Sequence, residues 1–142
     1  MRSVTQNYAK EAYILKLDIS GYFMNMNTTI LYNQIQKLQL VENTACSSFE
    51  KEVLHYLINE VIFTNPIHQC QINGNKELWK FIPNTKSLFH SPHGCGLPIG
   101  NLTSQIFGNI YLNDFDHWVK TDLGIKYYGR YVDDMYFMHN DK

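Results

Sequence analysis

The sequence predicts an α+β fold in which helices pack on one face of a mostly antiparallel sheet. Three observations support this prediction: a strand pattern near the start of the chain, helix patterns with capping residues in its middle, and two aromatic strand patterns around an acidic turn at its end. The chain has 142 residues, of which 44% are hydrophobic and 18% charged, so it can bury the core of one compact domain.

The first predicted element is a strand over residues 13–19, Tyr-Ile-Leu-Lys-Leu-Asp-Ile. This run is too short for a stable helix and is rich in residues that favour strands. Alternation places Ile14, Lys16 and Asp18 on one face of the strand and the intervening residues on the other. A Ser-Gly pair ends the strand, so Asp18 lies at its carboxyl end.

Two helices are predicted next. Asn27 or Thr28 caps the first, and Ser47 with Glu50 forms a capping box at the start of the second. The apolar residues of the first helix keep helical spacing at Ile30, Leu31, Ile35 and Leu38. Those of the second form one stripe: Phe49, Val53, Leu54, Leu57, Ile58, Val61 and Ile62. A Thr-Asn-Pro run stops the second helix.

Short strands are predicted in the region from residue 66 to residue 95. They cover residues 67–72, 78–82 and 87–90, and Asn73-Gly74 is a hairpin signal between the first two. A third helix is predicted over residues 102–121, ended by a Leu-Gly pair.

The end of the chain predicts a hairpin. One strand covers residues 125–131, the turn residues 132–134, and the return strand residues 135–138.

The aspartates differ in what their positions predict. Those on or beside the third helix are expected to be solvated: Asp114, Asp116 and Asp122. Asp133 and Asp134 lie between two strongly β-prone flanks, where an exposed hairpin tip is one interpretation. Together with Asp18 at another strand end, they predict an anionic, oxygen-rich pocket of the kind that Mg²⁺ prefers.

These aspartates lie in two of three motifs that resemble those of reverse transcriptases. Residues 13–23, YILKLDISGYF, resemble motif A; residues 96–105, GLPIGNLTSQ, resemble motif B; and residues 131–134, YVDD, match the YxDD pattern of motif C. One YxDD recurs by chance, whereas three motifs in the family's order form a specific signal. The resemblance implies that residues 1–142 are the palm, a ferredoxin-like antiparallel sheet with helices on one face, of an RNA-directed DNA polymerase.

The resemblance also implies the roles of the acidic residues. Asp18 and Asp133 would hold two Mg²⁺ ions, for which Mn²⁺ is a substitute, and the Ile19 carbonyl would be a further ligand. Asp134 would complete the catalytic cluster. Two such ions about 4 Å apart activate an attacking hydroxyl and stabilise a leaving oxygen in phosphoryl transfer.

Five further residues would contact substrates if the resemblance holds. Phe23 matches the aromatic gate that selects deoxynucleotides, although a core phenylalanine is the alternative interpretation. Tyr131 would support the primer end, and Gly100 would lie beneath the incoming base and template. Ile99 and Gln105 belong to an IGxxxSQ form of motif B that resembles diversity-generating retroelements and related bacterial retroelement enzymes. Isoleucine in place of a hydrogen-bonding glutamine predicts low fidelity.

Fingers and thumb segments of the family are expected to be largely absent from this chain. Their absence accounts for a net charge of −1, which is unusual for a free-standing nucleic-acid binder. The expected partners are an RNA template, a DNA or RNA primer, a deoxynucleoside triphosphate and an accessory protein, and an uncovered sheet edge predicts self-association. Three scattered cysteines and no apolar span predict a cytoplasmic protein without a membrane segment. The alternative function is a non-catalytic palm-like module in RNA binding or assembly.

Overall fold

The computed structural model describes residues 2–71 and 73–140 and divides into two compact units. The first unit combines Met1–Ser20 with Leu112–Lys142, and the second is Gly21–Tyr111. The elements in chain order are β1 (Tyr13–Asp18), α1 (Tyr22–Asn25), α2 (Thr28–Lys37), α3 (Ser48–Phe63), α4 (Leu102–Tyr111), α5 (Asn113–Thr121), β2 (Tyr127–Tyr131) and β3 (Asp134–His139). Short 3₁₀ helices lie between α3 and α4 at Pro66–His68, Lys76–Phe81, Asn84–Lys86 and Leu88–His90. The predicted α+β class is confirmed.

The sheet of the first unit has three antiparallel strands in the order β1-β3-β2. β3 is therefore central, and it pairs over its length with β1, from which it is far removed in sequence. The register runs from Tyr13 opposite His139 to Asp18 opposite Asp134. The predicted antiparallel sheet is confirmed, and the last hairpin forms with a two-residue turn.

Helix α5 packs on one face of this sheet. The ring of Phe115 lies edge-on to the ring of Tyr128 on β2, with the ring centroids 6.4 Å apart. Tyr128 in turn packs against Phe137 on β3, at 4.9 Å between centroids. Val119 of α5 and Met135 of β3 are both buried, so the first unit buries apolar side chains from both elements.

The second unit is helical, and its capping residues are those predicted. The Asn27 side chain accepts a hydrogen bond from the Ile30 N–H at the start of α2, and Ser47 and Glu50 form the capping box of α3. Helix α2 packs against α3 and α4. The apolar stripe predicted on α3 is mostly exposed, with Ile62 its only buried member. Buried side chains of this unit include Tyr22, Met24, Met26, Leu31, Ile35, Leu97 and Phe107.

The short strands predicted between residues 66 and 95 are wrong. The described part of this region forms 3₁₀ helices instead, and Ile72, in the first predicted strand, lies outside the described residues. Asn65 and Asn75 explain the difference, because each side-chain oxygen accepts a backbone N–H two residues later. Such local bonds favour tight turns over a strand ladder. Gly74 has the positive φ of a turn residue, but the described residues on either side of it form no paired strands.

The helix predicted over residues 102–121 is also not continuous. It breaks at Leu112, where φ is −98° and ψ is 11°, and α5 starts at the next residue. The residues around the break, Asn109, Asn113 and Asp114, have side chains that compete for backbone hydrogen bonds and so favour helix ends. The strand predicted from residue 125 begins at Tyr127.

In the described ranges, no helix is both long and apolar enough to cross a membrane. The cysteines Cys46, Cys70 and Cys95 are free thiols.

Candidate functional site

Two of the three predicted carboxylates lie directly opposite each other in the first unit. Asp18, the last residue of β1, pairs with Asp134, the first residue of β3. Tyr131, the last residue of β2, pairs with Asp134 from the other side. Directly paired residues project their side chains to the same face, with Cβ atoms about 5 Å apart. Asp18, Asp134 and Tyr131 therefore form one row across the three strands, at the same end of the sheet.

Asp133 lies in the turn beside this row. The turn between β2 and β3 consists of Val132 and Asp133, and Val132 has a φ of 57°. A positive φ at the first turn position alone matches a type II′ hairpin turn, which favours glycine there. A β-branched residue in this conformation is strained, and such strain is concentrated at functional sites. The turn places the half-buried Asp133 next to Asp134.

Lys16 lies on the same face of the sheet as Asp18, two residues before it on β1. Its Nζ is 3.1 Å from Oδ1 of Asp134 and 5.4 Å from the centre of the Tyr136 ring. The hydrogen bond to Asp134 is the main cause that raises the pKa of Lys16. This ammonium offsets part of the repulsion between the facing carboxylates, which like charges at opposed positions would otherwise incur.

The other face of the sheet carries a partly buried ionic network that sequence reasoning missed. Arg130 of β2 donates from Nε to Oδ1 of Asp116, at 2.9 Å, and from Nη2 to Oδ2 of Asp116. Tyr128 donates its hydroxyl to the same Oδ1, at 2.6 Å. The prediction that Asp116 is simply solvated is therefore wrong, because α5 turns this residue towards the sheet. Arg130 as a lone charged residue in an aromatic strand was the available signal.

The network shifts two ionisation equilibria. Burial by itself would raise the pKa of the Asp116 carboxyl, but the hydrogen bonds from Arg130 and Tyr128 outweigh burial and lower this pKa below its ordinary value. Burial, and then the hydrogen bond to Asp116, raise the pKa of Tyr128 to about 12. Asp116 is therefore a carboxylate and Tyr128 a neutral donor at neutral pH.

The donor atoms at the acidic end of the sheet suit a hard cation. They are the carboxylate oxygens of Asp18, Asp133 and Asp134, with the carbonyl of Ile19 directly after β1, and Mg²⁺ prefers such oxygen ligands. Over residues 2–71 and 73–140, no three His, Cys, Asp or Glu side chains form a ready metal-binding group. Asp18 is exposed and Asp133 is half-buried.

The second unit contains the remaining predicted substrate residues. Phe23 on α1 accepts a hydrogen bond at its carbonyl from the Leu97 N–H, at 2.9 Å, and the Met26 carbonyl accepts one from the Gly96 N–H. The end of motif A is thereby joined to the start of motif B. The half-buried Phe23 ring packs beside Tyr22, at 5.4 Å between centroids.

The motif B residues of the second unit present an open surface. Ile99 is 57% exposed, and Gly100 and Gln105 are exposed as well. Gly100 has a φ of 98°, and apart from its two chain neighbours no described residue has an atom within 4 Å of the position that a Cβ would occupy. This glycine is explained by its backbone conformation, and a flat ligand can approach the backbone there.

Comparison with known proteins does not assign the chain. No protein-family model matches it, and no curated protein sequence is significantly similar to it.

Proposed function

We propose that this chain is the palm of an RNA-templated DNA polymerase. The single observation that best supports the proposal is the register that pairs Asp18 of motif A with Asp134 of motif C. A strand slip of one residue would send one of the two side chains to the opposite face. The observed register gives the carboxylates a common face beside Asp133, as a nucleotidyl-transfer site requires.

The proposed reaction joins a deoxynucleoside triphosphate to a primer. The primer 3′-hydroxyl oxygen forms a bond to the α-phosphorus and loses its proton, while the bond from that phosphorus to the bridging oxygen breaks and pyrophosphate leaves. Two Mg²⁺ ions, or Mn²⁺ in their place, supply activation of the hydroxyl and neutralise charge on the leaving group when bound. Asp18, Asp133 and the Ile19 carbonyl hold these ions, while Asp134 remains paired with Lys16.

The substrate contacts are assigned within each unit. Tyr131 is 79% exposed in the row that contains Asp134, so its ring is available to support the primer end. In the second unit, Phe23 serves as the sugar gate, and the exposed Ile99, Gly100 and Gln105 contact the nascent base pair and template. Ile99 offers no hydrogen bond, so discrimination between correct and incorrect nucleotides is weak at this position.

In this proposal the chain is part of a longer retroelement polymerase that is most similar to the diversity-generating type. This polymerase acts in the cytoplasm. Fingers and thumb supply the phosphate contacts that a chain with net charge −1 lacks. RNA template, DNA or RNA primer and an accessory protein are the proposed partners. β1 is an edge strand with exposed apolar residues such as Leu15, so the isolated palm self-associates at this edge.

The first test measures Mn²⁺ binding by the 142-residue chain, and water-proton relaxation reports the bound ion. We expect Asp18→Asn and Asp133→Asn each to weaken binding by about tenfold or more, since each removes a charged oxygen ligand. Asp122→Asn, an exposed aspartate at the end of α5, is the matched control and should bind as the wild type does. Primer extension on RNA by the longer polymerase should stop in Asp133→Asn.

A non-catalytic palm-like module is the second candidate. The observation in its favour is that, for the portion of the chain that the structure describes, no ready group of three metal ligands is present. Mn²⁺ binding that is equal in the wild type, Asp18→Asn and Asp133→Asn would favour this candidate, with RNA binding or assembly as its role.

A further inference from the structure

Arg130 connects α5 to the turn that contains Asp133. Its side chain is 6% exposed, and its guanidinium has acceptors on two sides. Nε and Nη2 donate to the two oxygens of Asp116, while Nη1 donates to the Val132 carbonyl at 2.7 Å. We propose that Arg130, oriented by Asp116, is a positioning residue that holds the Val132–Asp133 turn in the conformation that presents Asp133. This inference rests on the proposed function of the acidic cluster.

The turn needs such a restraint. Val132 has a positive φ, which a β-branched residue rarely adopts. The intrinsic backbone preference of valine therefore favours other turn geometries for this hairpin. The bond from Arg130 reaches the carbonyl of this strained residue. That carbonyl belongs to the peptide group that joins Val132 to Asp133, so fixing it also fixes the backbone from which Asp133 projects.

The geometry explains why the residue is an arginine. The planar guanidinium presents donors along fixed directions, and two of them match a carboxylate while a third remains for another acceptor. Lysine has a compact ammonium and cannot match the bidentate pair with Asp116 while also reaching Val132 in the same way. Tyr128 adds a further hydrogen bond to Asp116, so the carboxylate itself has a fixed orientation.

A contribution to folding stability does not by itself explain the network of Arg130 and Asp116. A partly buried ion pair contributes little net stability, because desolvation of the charges offsets their attraction, and apolar residues of similar volume often serve as well. The orientation of the Val132 carbonyl, in contrast, cannot be supplied by an apolar side chain. Partners that orient a ligand residue typically change metal affinity or activity by about 10- to 100-fold when they are removed.

The test compares five forms of the 142-residue chain by two readouts. The forms are the wild type, Arg130→Lys, Arg130→Lys with Val132→Gly, Asp116→Asn, and Arg2→Lys as a control that removes the other guanidinium of the chain. The readouts are Mn²⁺ affinity and the ¹⁵N order parameters of the Val132 and Asp133 amides, with the corresponding glycine amide in the double variant. Asp116→Asn is a second way to weaken the same restraint, and it keeps the test possible if Arg130→Lys fails to fold.

We expect Arg130→Lys to weaken Mn²⁺ binding by about tenfold and to lower the order parameters of the turn. Asp116→Asn should act in the same direction, and Arg2→Lys should match the wild type. Val132→Gly should restore most of the affinity to Arg130→Lys, because glycine adopts a positive φ without the tether. A role limited to general stability would leave the order parameters of the turn amides in Arg130→Lys as they are in the wild type.

Two results would overturn the inference in distinguishable ways. Unchanged Mn²⁺ affinity in Arg130→Lys and Asp116→Asn, or a loss that Val132→Gly does not recover, would refute the positioning role alone. A wild-type chain whose Mn²⁺ binding does not depend on Asp133 would refute the proposed function and the positioning role together.

Discussion

Lys16 holds its ammonium 3.1 Å from the Asp134 carboxylate, diagonally across the β1–β3 pair. This contact divides the acidic cluster into one neutralised carboxylate and two that remain for other ligands. Asp18 and Asp133 are the two that the motif resemblance assigns to metal ions. The Lys16–Asp134 pair therefore agrees with the proposed division of roles.

Replacement of Lys16 tests this electrostatic arrangement. We expect Lys16→Gln to raise the Mn²⁺ affinity of the chain by about two- to fivefold, because an ammonium next to the site repels a divalent cation. The exposed pair contributes little to stability, so the melting temperature should change only slightly. The measurement is Mn²⁺ titration at low and high salt, where the difference from the wild type should shrink as salt rises.

Lys80→Gln is the matched control for that experiment. Lys80 forms an exposed ion pair with Glu77, at 2.6 Å, in the second unit. Lys80→Gln changes the net charge by the same amount as Lys16→Gln, and it should leave the Mn²⁺ affinity at the wild-type value. Equal affinity gains in both variants would show that net charge, and not the contact with Asp134, is responsible.

The parts of the fold that the sequence predicts well have local signals. The Asn27 cap, the Ser47–Glu50 capping box and the strand before Asp18 depend on residues within a few positions of each other. The 3₁₀ helices between α3 and α4 were missed because asparagine side chains satisfy backbone donors there, despite strand-forming neighbours.

The candidate site shows the same limit. Asp18, Asp133 and Asp134 could be found because motif resemblance identifies them. Arg130 and Asp116 could not, since their contact depends on the orientation of α5 over β2. Such pairing is set by tertiary packing, and no periodicity in either element encodes it.

The Asp116 network should make stability depend on acid pH. The folded pKa of Asp116 is lowered, so its contribution to folding is full above the unfolded pKa, near 3.8, and is lost as pH falls through the folded pKa. Asp116→Asn removes this contribution, and its urea midpoint should therefore fall less than that of the wild type between about pH 5 and pH 2. Asp122→Asn should keep the wild-type acid dependence. Parallel curves for Asp116→Asn and the wild type would contradict the prediction.

The Val132 turn predicts a stabilising substitution. Val132→Gly removes the penalty of a positive φ at a β-branched residue, roughly 1–2 kcal/mol, and costs part of that in unfolded-state entropy. We expect a net gain of about 1 kcal/mol in the free energy of unfolding, measured by urea denaturation. Val53→Gly, in the middle of α3, is the matched control and should destabilise by about 0.5–1 kcal/mol. Destabilisation by both substitutions would argue against a strained turn.

The proposed sugar gate predicts an effect of Phe23 on nucleotide selection in the proposed longer polymerase. If the ring excludes a ribose 2′-hydroxyl, we expect Phe23→Ala to raise ribonucleotide incorporation about tenfold or more relative to deoxynucleotides. The measurement is single-nucleotide primer extension with matched ribo- and deoxynucleotides. Phe81→Ala, at an 82% exposed phenylalanine, serves as the control. An unchanged ratio in Phe23→Ala, with deoxynucleotide extension retained, would assign Phe23 to core packing alone.

Gly108 on α4 lies beside the rings of Phe23 and Tyr22. A Cβ at Gly108 would lie 3.3 Å from ring atoms of both Phe23 and Tyr22, and the Tyr22 hydroxyl donates to the Gly108 carbonyl at 2.6 Å. We expect Gly108→Ala to destabilise the chain by about 1–2 kcal/mol in urea unfolding, because overpacking exceeds the gain in helix propensity. Gly129→Ala should be tolerated, because apart from the two chain neighbours no described residue has an atom within 4 Å of the added Cβ. If Phe23 is the sugar gate, Gly108→Ala should also change the ribonucleotide ratio, because the ring must shift. A stability loss with no change in that ratio would separate the packing of Phe23 from its proposed role.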